Sequence, residues 1–228
     1  MKILAIETAT EACSAAVYDD GRVFERYQLA PREHNRLILP MVEAVLAESG
    51  LALNQLDALA FGRGPGSFTG VRVATGVTQG IAFGVDLKVV PVSTLAALAL
   101  AALDETGLDT AYPCIDARMG EVYWAVYRRA GESVELGVEE AVLPATRVAF
   151  PEDSRGVGIG SGWGTYRAQL AERLGGRAGV VLAERWFPRA GMIARLGAEA
   201  FERGRAVAAA EALPVYLRDN VAKKMGER

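Results

Sequence analysis

The stretch FGRGPGSFTGVRVATG, residues 61–76, concentrates residue types that handle anions: glycines, then Ser67 and Thr69, with Arg63 and Arg72 on its flanks. A glycine-rich turn that opens a helix holds phosphate well, because free backbone N–H groups and the helix dipole converge there. No lysine follows the glycines, so the Gly-Lys-Ser/Thr ending of a Walker A loop is missing. Two readings therefore stand side by side. One is an anion cradle. The other is a tight turn at Gly64-Pro65-Gly66, with Ser67 or Thr69 capping a packing helix.

A second group, Asp116, Arg118 and Glu121 in DARMGEVYW, sets two carboxylates near a guanidinium. That set serves acid–base chemistry or forms a salt-bridged turn facing a cleft. The chain has one histidine, His34, and two distant cysteines, Cys13 and Cys114. A two-His metal site or a Cys-x-x-Cys pair is thus excluded, and a Ser-His-Asp triad would have to use His34 itself. His34 reads either as a contact to a partner helix or as a helix-entry residue bonding a backbone group. Both cysteines lie in strand-like apolar settings, as buried reduced thiols do. Glu7, Thr8 and Thr10 on the first strand and turn are the remaining polar candidates.

These residues need elements to position them. Segments 2–8, 13–18 and 22–29 read as strands, the last two joined by an Asp20-Gly21 hairpin turn. A helix follows from Asn35, its cap, to Ser49, closed by Gly50 and disturbed early by Pro40. Its apolar rows are Leu37, Met41, Val45 and Ile38, Val42, Leu46. Strand 57–62, helix 68–83, strand 88–92 and helix 93–103 complete the first half. The second half repeats the order: strands 112–117, 121–129 and 133–143, a short strand 156–160, a helix 165–174, a strand near 180–182 and a helix 189–203. A polar break at 104–111 separates the copies.

The fold class is α/β: two ribonuclease H-like lobes built from a duplicated βββαβα unit. The expected divisions are an N-terminal lobe over 1–104, a smaller lobe over 105–214 and a tail over 215–228. With 228 residues, 51% hydrophobic, 23% charged and a net charge of −3, the composition is that of an ordinary globular chain. The acidic balance argues against this chain alone forming the main nucleic-acid surface. The tail cations Lys223, Lys224 and Arg228 read as a solvated end or as a contact to RNA or a partner. No apolar run is long enough to span a bilayer and no signal-peptide pattern follows Met1, so a cytoplasmic location is expected.

The helix at 68–83 carries Gly76, Gly80 and Gly84 four apart, with Ala74, Thr78 and Ala82 among them. Each interior glycine costs about 1 kcal/mol of helix stability against alanine. A small-residue face lets another backbone approach, and the row Val73, Val77, Ile81 beside it supplies apolar contact.

The order of elements, with IETAT on the first strand, looks like the actin-like ATPase superfamily. There an acidic residue and a glycine on the first hairpin bind Mg²⁺ and phosphate. Here Glu7 takes the acidic place and Ala9 replaces the glycine; Glu7, Thr8 and Thr10 are then vestigial cofactor-binding candidates. IETAT, REHNRLILP, GRGPGSFTGVRV, DARMGEVYWAVY and PVYLRDNVA together resemble the TsaB (YeaZ) family across essentially the whole chain. The resemblance implies a non-enzymatic accessory subunit without a resident cofactor or metal. Such a subunit pairs through its N-terminal lobe with a TsaD-like transferase that makes threonylcarbamoyladenosine next to the tRNA anticodon. A TsaE-like ATPase joins the larger complex, and tRNA is met mainly through that complex. The TsaD-like metal needs two histidines spaced by three residues, which this chain lacks. The expected interface comprises Leu37, Met41, Val45, Val73, Gly76, Val77, Gly80 and Ile81, and the same patch should pair two copies when the partner is absent. Alternatives are an ATPase or small-molecule kinase of this fold, and a metallopeptidase-like protein.

Overall fold

The computed structural model describes residues 1–151, 155–175, 178–183 and 187–218. Strands β1 (Lys2–Glu7), β2 (Ala12–Asp19) and β3 (Arg22–Leu29) form a meander, followed by α1 (His34–Ser49), β4 (Ala58–Gly62), α2 (Phe68–Val85), β5 (Val89–Val92) and α3 (Thr94–Thr106). The second copy is β6 (Thr110–Arg118), β7 (Glu121–Ala130), β8 (Ser133–Pro144), β9 (Gly156–Gly160), α4 (Ser161–Thr165), α5 (Arg167–Leu174), β10 (Ala178–Ala183) and α6 (Ala190–Glu202). The sheets have the same order by position, β3-β2-β1-β4-β5 and β8-β7-β6-β9-β10, so the duplication expected from the sequence is present. Within each, the first three strands run antiparallel and the last two parallel.

Strand periodicity explains the layering. Along β1, Leu4 and Ile6 point to one face and Ile3 and Ala5 to the other, and all four are buried. The Leu4 face, with Cys13, Ala15, Val17 and Phe61, packs under α1 and α2 through Ile38, Val42, Val45, Ala74 and Ala82. The Ile3 face meets Leu95 and Leu98 of α3, Ile193 and Ala194 of α6, and beyond them Ile115, Ala125 and Ile159 of the second sheet. Trp124, Trp163, Leu170 and Leu174 close the far side of that sheet. Five layers result, helix–sheet–helix–sheet–helix. The two middle helices trade sides: α3 packs against β6–β9, while α6 returns to the first sheet. There Gly197 permits the approach, since a β-carbon would sit 2.7 Å from that of Ala60.

Local signals place most boundaries. Asp20 and Gly21 adopt φ 45° and 95° and join β2 to β3 in a two-residue turn. Gly50 closes α1 at φ 71°, while the Leu51 N–H bonds the Leu46 carbonyl. Three expectations need correction. Helix α1 begins at His34 with Glu33 at its cap, so Asn35 lies inside the first turn. Pro40, at an exposed position, does not interrupt it: the helix runs on from His34 to Ser49. The helix expected at 165–174 is α5, which starts later, at Arg167, and is preceded across Tyr166 by a short helix, α4, that was not expected.

Candidate functional site

The glycine loop is held by the first hairpin. Oγ of Ser67 accepts from the Gly70 N–H (3.4 Å), which identifies Ser67 as the cap of α2. The Ser67 N–H donates to the Ala9 carbonyl at 2.7 Å. A β-carbon on Gly66 would overlap that same carbonyl, and one on Gly70 would overlap the carbonyl of Thr8. The turn from β1 to β2 therefore lies directly on the start of α2, where the cradle reading would set a phosphate.

The polar residues beside it are committed to internal bonds. Glu7 is fully buried. Its Oε1 accepts from the Ala9 N–H at 2.6 Å and its Oε2 from the Thr94 hydroxyl at 2.9 Å. Burial pushes its pKa up to about 7 against these donors. Thr8 donates to the Gly70 carbonyl at 2.7 Å. Thr10, also buried, accepts from the Ala12 N–H at 3.4 Å. The structure thus brings Glu7, Thr8 and Thr10 together at the β1–β2 turn, where Thr8 ties the turn to the start of α2, Glu7 ties it to the start of α3, and Thr10 bonds within the turn itself.

The face expected to meet a partner divides in two. Gly76, Gly80 and Gly84 are exposed, and a β-carbon on any of them would meet nothing within 4 Å. Val73, Val77 and Ile81, with Leu37 and Met41 of α1, are half-buried and lean on the core beneath. Asn35, Phe68, Thr69, Arg72, Val73, Gly76 and Val77 line a groove of about 460 Å3 between the helices. Val45 is the exception. It is fully buried in this chain's own core and is unavailable to a partner. Sequence periodicity also passed over Leu39, Phe68 and Phe83, which are exposed and extend the apolar surface at its margins.

Between the lobes lies a cavity of about 620 Å3 lined by Thr10, Glu11, Arg32, His34, Asp116, Arg118 and the segment Val215–Arg218, among others. Here the acid–base candidates form a salt-bridged turn. Asp116 accepts from the Arg118 N–H (2.8 Å), the Arg118 guanidinium (3.1 Å) and the Tyr166 hydroxyl (3.2 Å). Glu121 instead pairs with Arg218 at 2.7 Å. Nε2 of His34 lies 3.1 Å from the Ala12 carbonyl and donates to it, the backbone-bonding reading of that residue. Cys13 and Cys114 are free and buried, and burial raises both thiols, Cys13 to about 11. Trp163 donates to the Tyr112 carbonyl at 2.8 Å and packs on Gly158, so GIGSGW is a packing motif. Among the described residues, no three His, Cys, Asp or Glu gather into a metal-holding cluster. No helix among them is long and apolar enough to cross a membrane. The cations Lys223, Lys224 and Arg228 lie outside the described residues.

Comparison with known proteins follows this geometry. The profile of the family described as TsaD, tRNA N6-adenosine threonylcarbamoyltransferase, matches residues 26–160. The tRNA threonylcarbamoyladenosine biosynthesis protein TsaB of Escherichia coli K12 is 45% identical, over 98% of this chain and 97% of its own length. The Haemophilus influenzae protein of the same name is 38% identical over 98% and 96%. Among solved structures, YeaZ from Pseudomonas aeruginosa superposes with a TM-score of 0.88 at 46% identity, covering 95% of this chain and 99% of that one. A further crystal structure, with a TM-score of 0.88 at 45% identity and the same coverage, is described as an uncharacterized protein with similarity to peptidase YeaZ from that organism.

Proposed function

This chain belongs to the TsaB family, and from that premise we propose that it is a non-catalytic subunit of the machinery that forms threonylcarbamoyladenosine in tRNA. In this reading it pairs with a TsaD-like transferase through α1 and α2, and a TsaE-like ATPase joins the pair. The tRNA is bound mainly by the assembly.

The observation that carries the reading is the open glycine face of α2. Three interior glycines weaken the helix by about 1 kcal/mol each relative to alanine. Nothing in this chain's own packing requires them, because the space beyond each is empty. A second backbone resting on that face accounts for them, with the groove beside Phe68, Val73 and Val77 receiving its side chains. Without the partner, a second copy covers the same patch, since contiguous apolar surface favours association.

The peptidase description of the structural relative finds little support in the residues here. His34 is spent on a backbone carbonyl, and the described residues offer no metal-holding cluster. A kinase or ATPase reading would need Glu7 and the glycine loop for phosphate and Mg²⁺; here Glu7 is bonded to the Ala9 N–H and the Thr94 hydroxyl, and the loop is bonded to the Ala9 carbonyl.

The test combines Gly80→Leu with co-elution. The variant should fold, because its new side chain enters open space, and it should fail to co-elute with a TsaD-like partner. Threonylcarbamoyladenosine formation on tRNA in the reconstituted mixture should fall in parallel. A folded variant that binds the partner at full strength would remove α2 from the interface.

A further inference from the structure

We infer that a two-sided clasp locks the lobes at one angle, so that the cleft between them does not open and close. The inner side is a carboxylate that both lobes share. Glu140 on β8 has a side chain only 8% exposed. Its Oε2 accepts from the Arg63 guanidinium at 3.0 Å, and Arg63 follows directly on β4 of the first sheet. Its Oε1 accepts from the Tyr127 hydroxyl on β7 at 2.8 Å and from the Ser93 hydroxyl. Ser93 belongs to the first lobe as well, since it follows directly on β5 of the first sheet; it also caps α3, accepting from the Ala96 N–H at 3.1 Å. A carboxylate this buried needs partners for its charge. Parting the lobes would strand Glu140 on one side and Arg63 on the other. Burial first, then the Glu140 charge, raises the Tyr127 phenol, which keeps it a donor.

The outer side is a strap. The segment 214–218 crosses the mouth of the cleft and is pinned to both lobes. On the first, the Val215 N–H donates to the Arg63 carbonyl at 2.8 Å. The Tyr216 hydroxyl accepts from Nε of Arg72 at 2.9 Å, and its ring lies 5.6 Å from that of Phe68. Two residues on, Arg218 reaches the second lobe, donating to Glu121 at 2.7 Å and to the Arg118 carbonyl at 3.4 Å. Arg63 joins the two sides, since its side chain holds Glu140 and its carbonyl holds the strap.

Opening the cleft requires both sides to break together, whichever partner α1 and α2 meet. The second lobe therefore travels as a fixed extension of the first, at a set position relative to the α1–α2 face.

Paired spin labels test this. Lys88→Cys on the first lobe and Gln169→Cys on the second are both exposed, and Cys13 and Cys114 are buried from the reagent. Labelled protein, diluted with unlabelled so that copies do not interfere, should give one narrow interlobe distance by pulsed dipolar spectroscopy. Adding Glu140→Leu, which removes the carboxylate that Arg63 and Ser93 both bond, together with Arg218→Ala should broaden it and bring in a second, longer distance. A broad distribution in the unmutated lobes overturns the inference, and so does a folded double variant that keeps the narrow one. If the double variant does not fold, Arg218→Ala alone is read by amide hydrogen exchange at Val215. Faster exchange there is the expected result, and unchanged protection overturns the strap.

Discussion

The end of β4, the loop after it and helix α2 contain two sets of glycines that look alike in sequence and differ in what surrounds them. Gly62, Gly66 and Gly70 are pressed against Glu7, Ala9 and Thr8, and a β-carbon at any of the three would overlap those atoms. Gly76, Gly80 and Gly84 face open space within the same helix. The first set is demanded by this chain's own packing. The second set costs helix stability and returns nothing to the isolated chain. A demanded glycine reports how a protein folds, and one that is not demanded points to a surface used by something else.

Substituting the demanded set should have the largest effect. Gly70→Ala forces a methyl group into the Thr8 carbonyl, and the β1–β2 turn must move to admit it. A loss of about 3 kcal/mol is expected in urea unfolding, the upper end for overpacked sites. A variant as stable as the parent would erase the distinction between the two sets.

Glu7 sharpens the comparison through pH. Its carboxyl lies against Gly62, and its folded pKa is about 7 against an ordinary 4.5. A raised acid favours the protonated form when folded. It therefore costs nothing below pH 4.5, becomes destabilising as pH rises through that window, and is fully costly above about 7. The whole effect is about 3 kcal/mol at most. Glu7→Gln should flatten this decline, giving a more stable protein at pH 8 and little change at pH 4. Equal pH slopes in parent and variant would show that the carboxyl is not desolvated as drawn.

In the open set, Gly80→Leu should lower affinity for a TsaD-like partner at least about tenfold, about 1.4 kcal/mol, without loss of stability. The smallest effects come from alanine. Gly76→Ala and Gly80→Ala should each raise helix stability by about 1 kcal/mol, since alanine is the better helix former. A thermal melt of each variant reads this directly. A fall in melting temperature would mean that the glycines serve the isolated fold after all.

Much of this was legible in the residues. The repeated strand order, the Asp20-Gly21 turn, the Gly50 stop and the Ser67 cap are local signals, and each is present. The assignment of Val45 to the outer face failed for a geometric reason. At 3.6 residues per turn, a row of i, i+4, i+8 drifts by about 40° at each step. Leu37 and Met41 stay near the edge, and Val45 rotates inward beside Ile38.

Sequence alone determined the order of elements, the family resemblance and the lack of ligands for a two-histidine metal site, because periodicity, turn chemistry and composition are carried by neighbours in the chain. Only the tertiary structure decided which glycines are enclosed and which are open, that Thr8 bonds the start of α2 and Glu7 that of α3, and that Arg63, Ser93, Tyr127 and Glu140 meet. Those four come from separate elements, up to 77 positions apart. No local pattern encodes their meeting, since it depends on how two sheets are stacked.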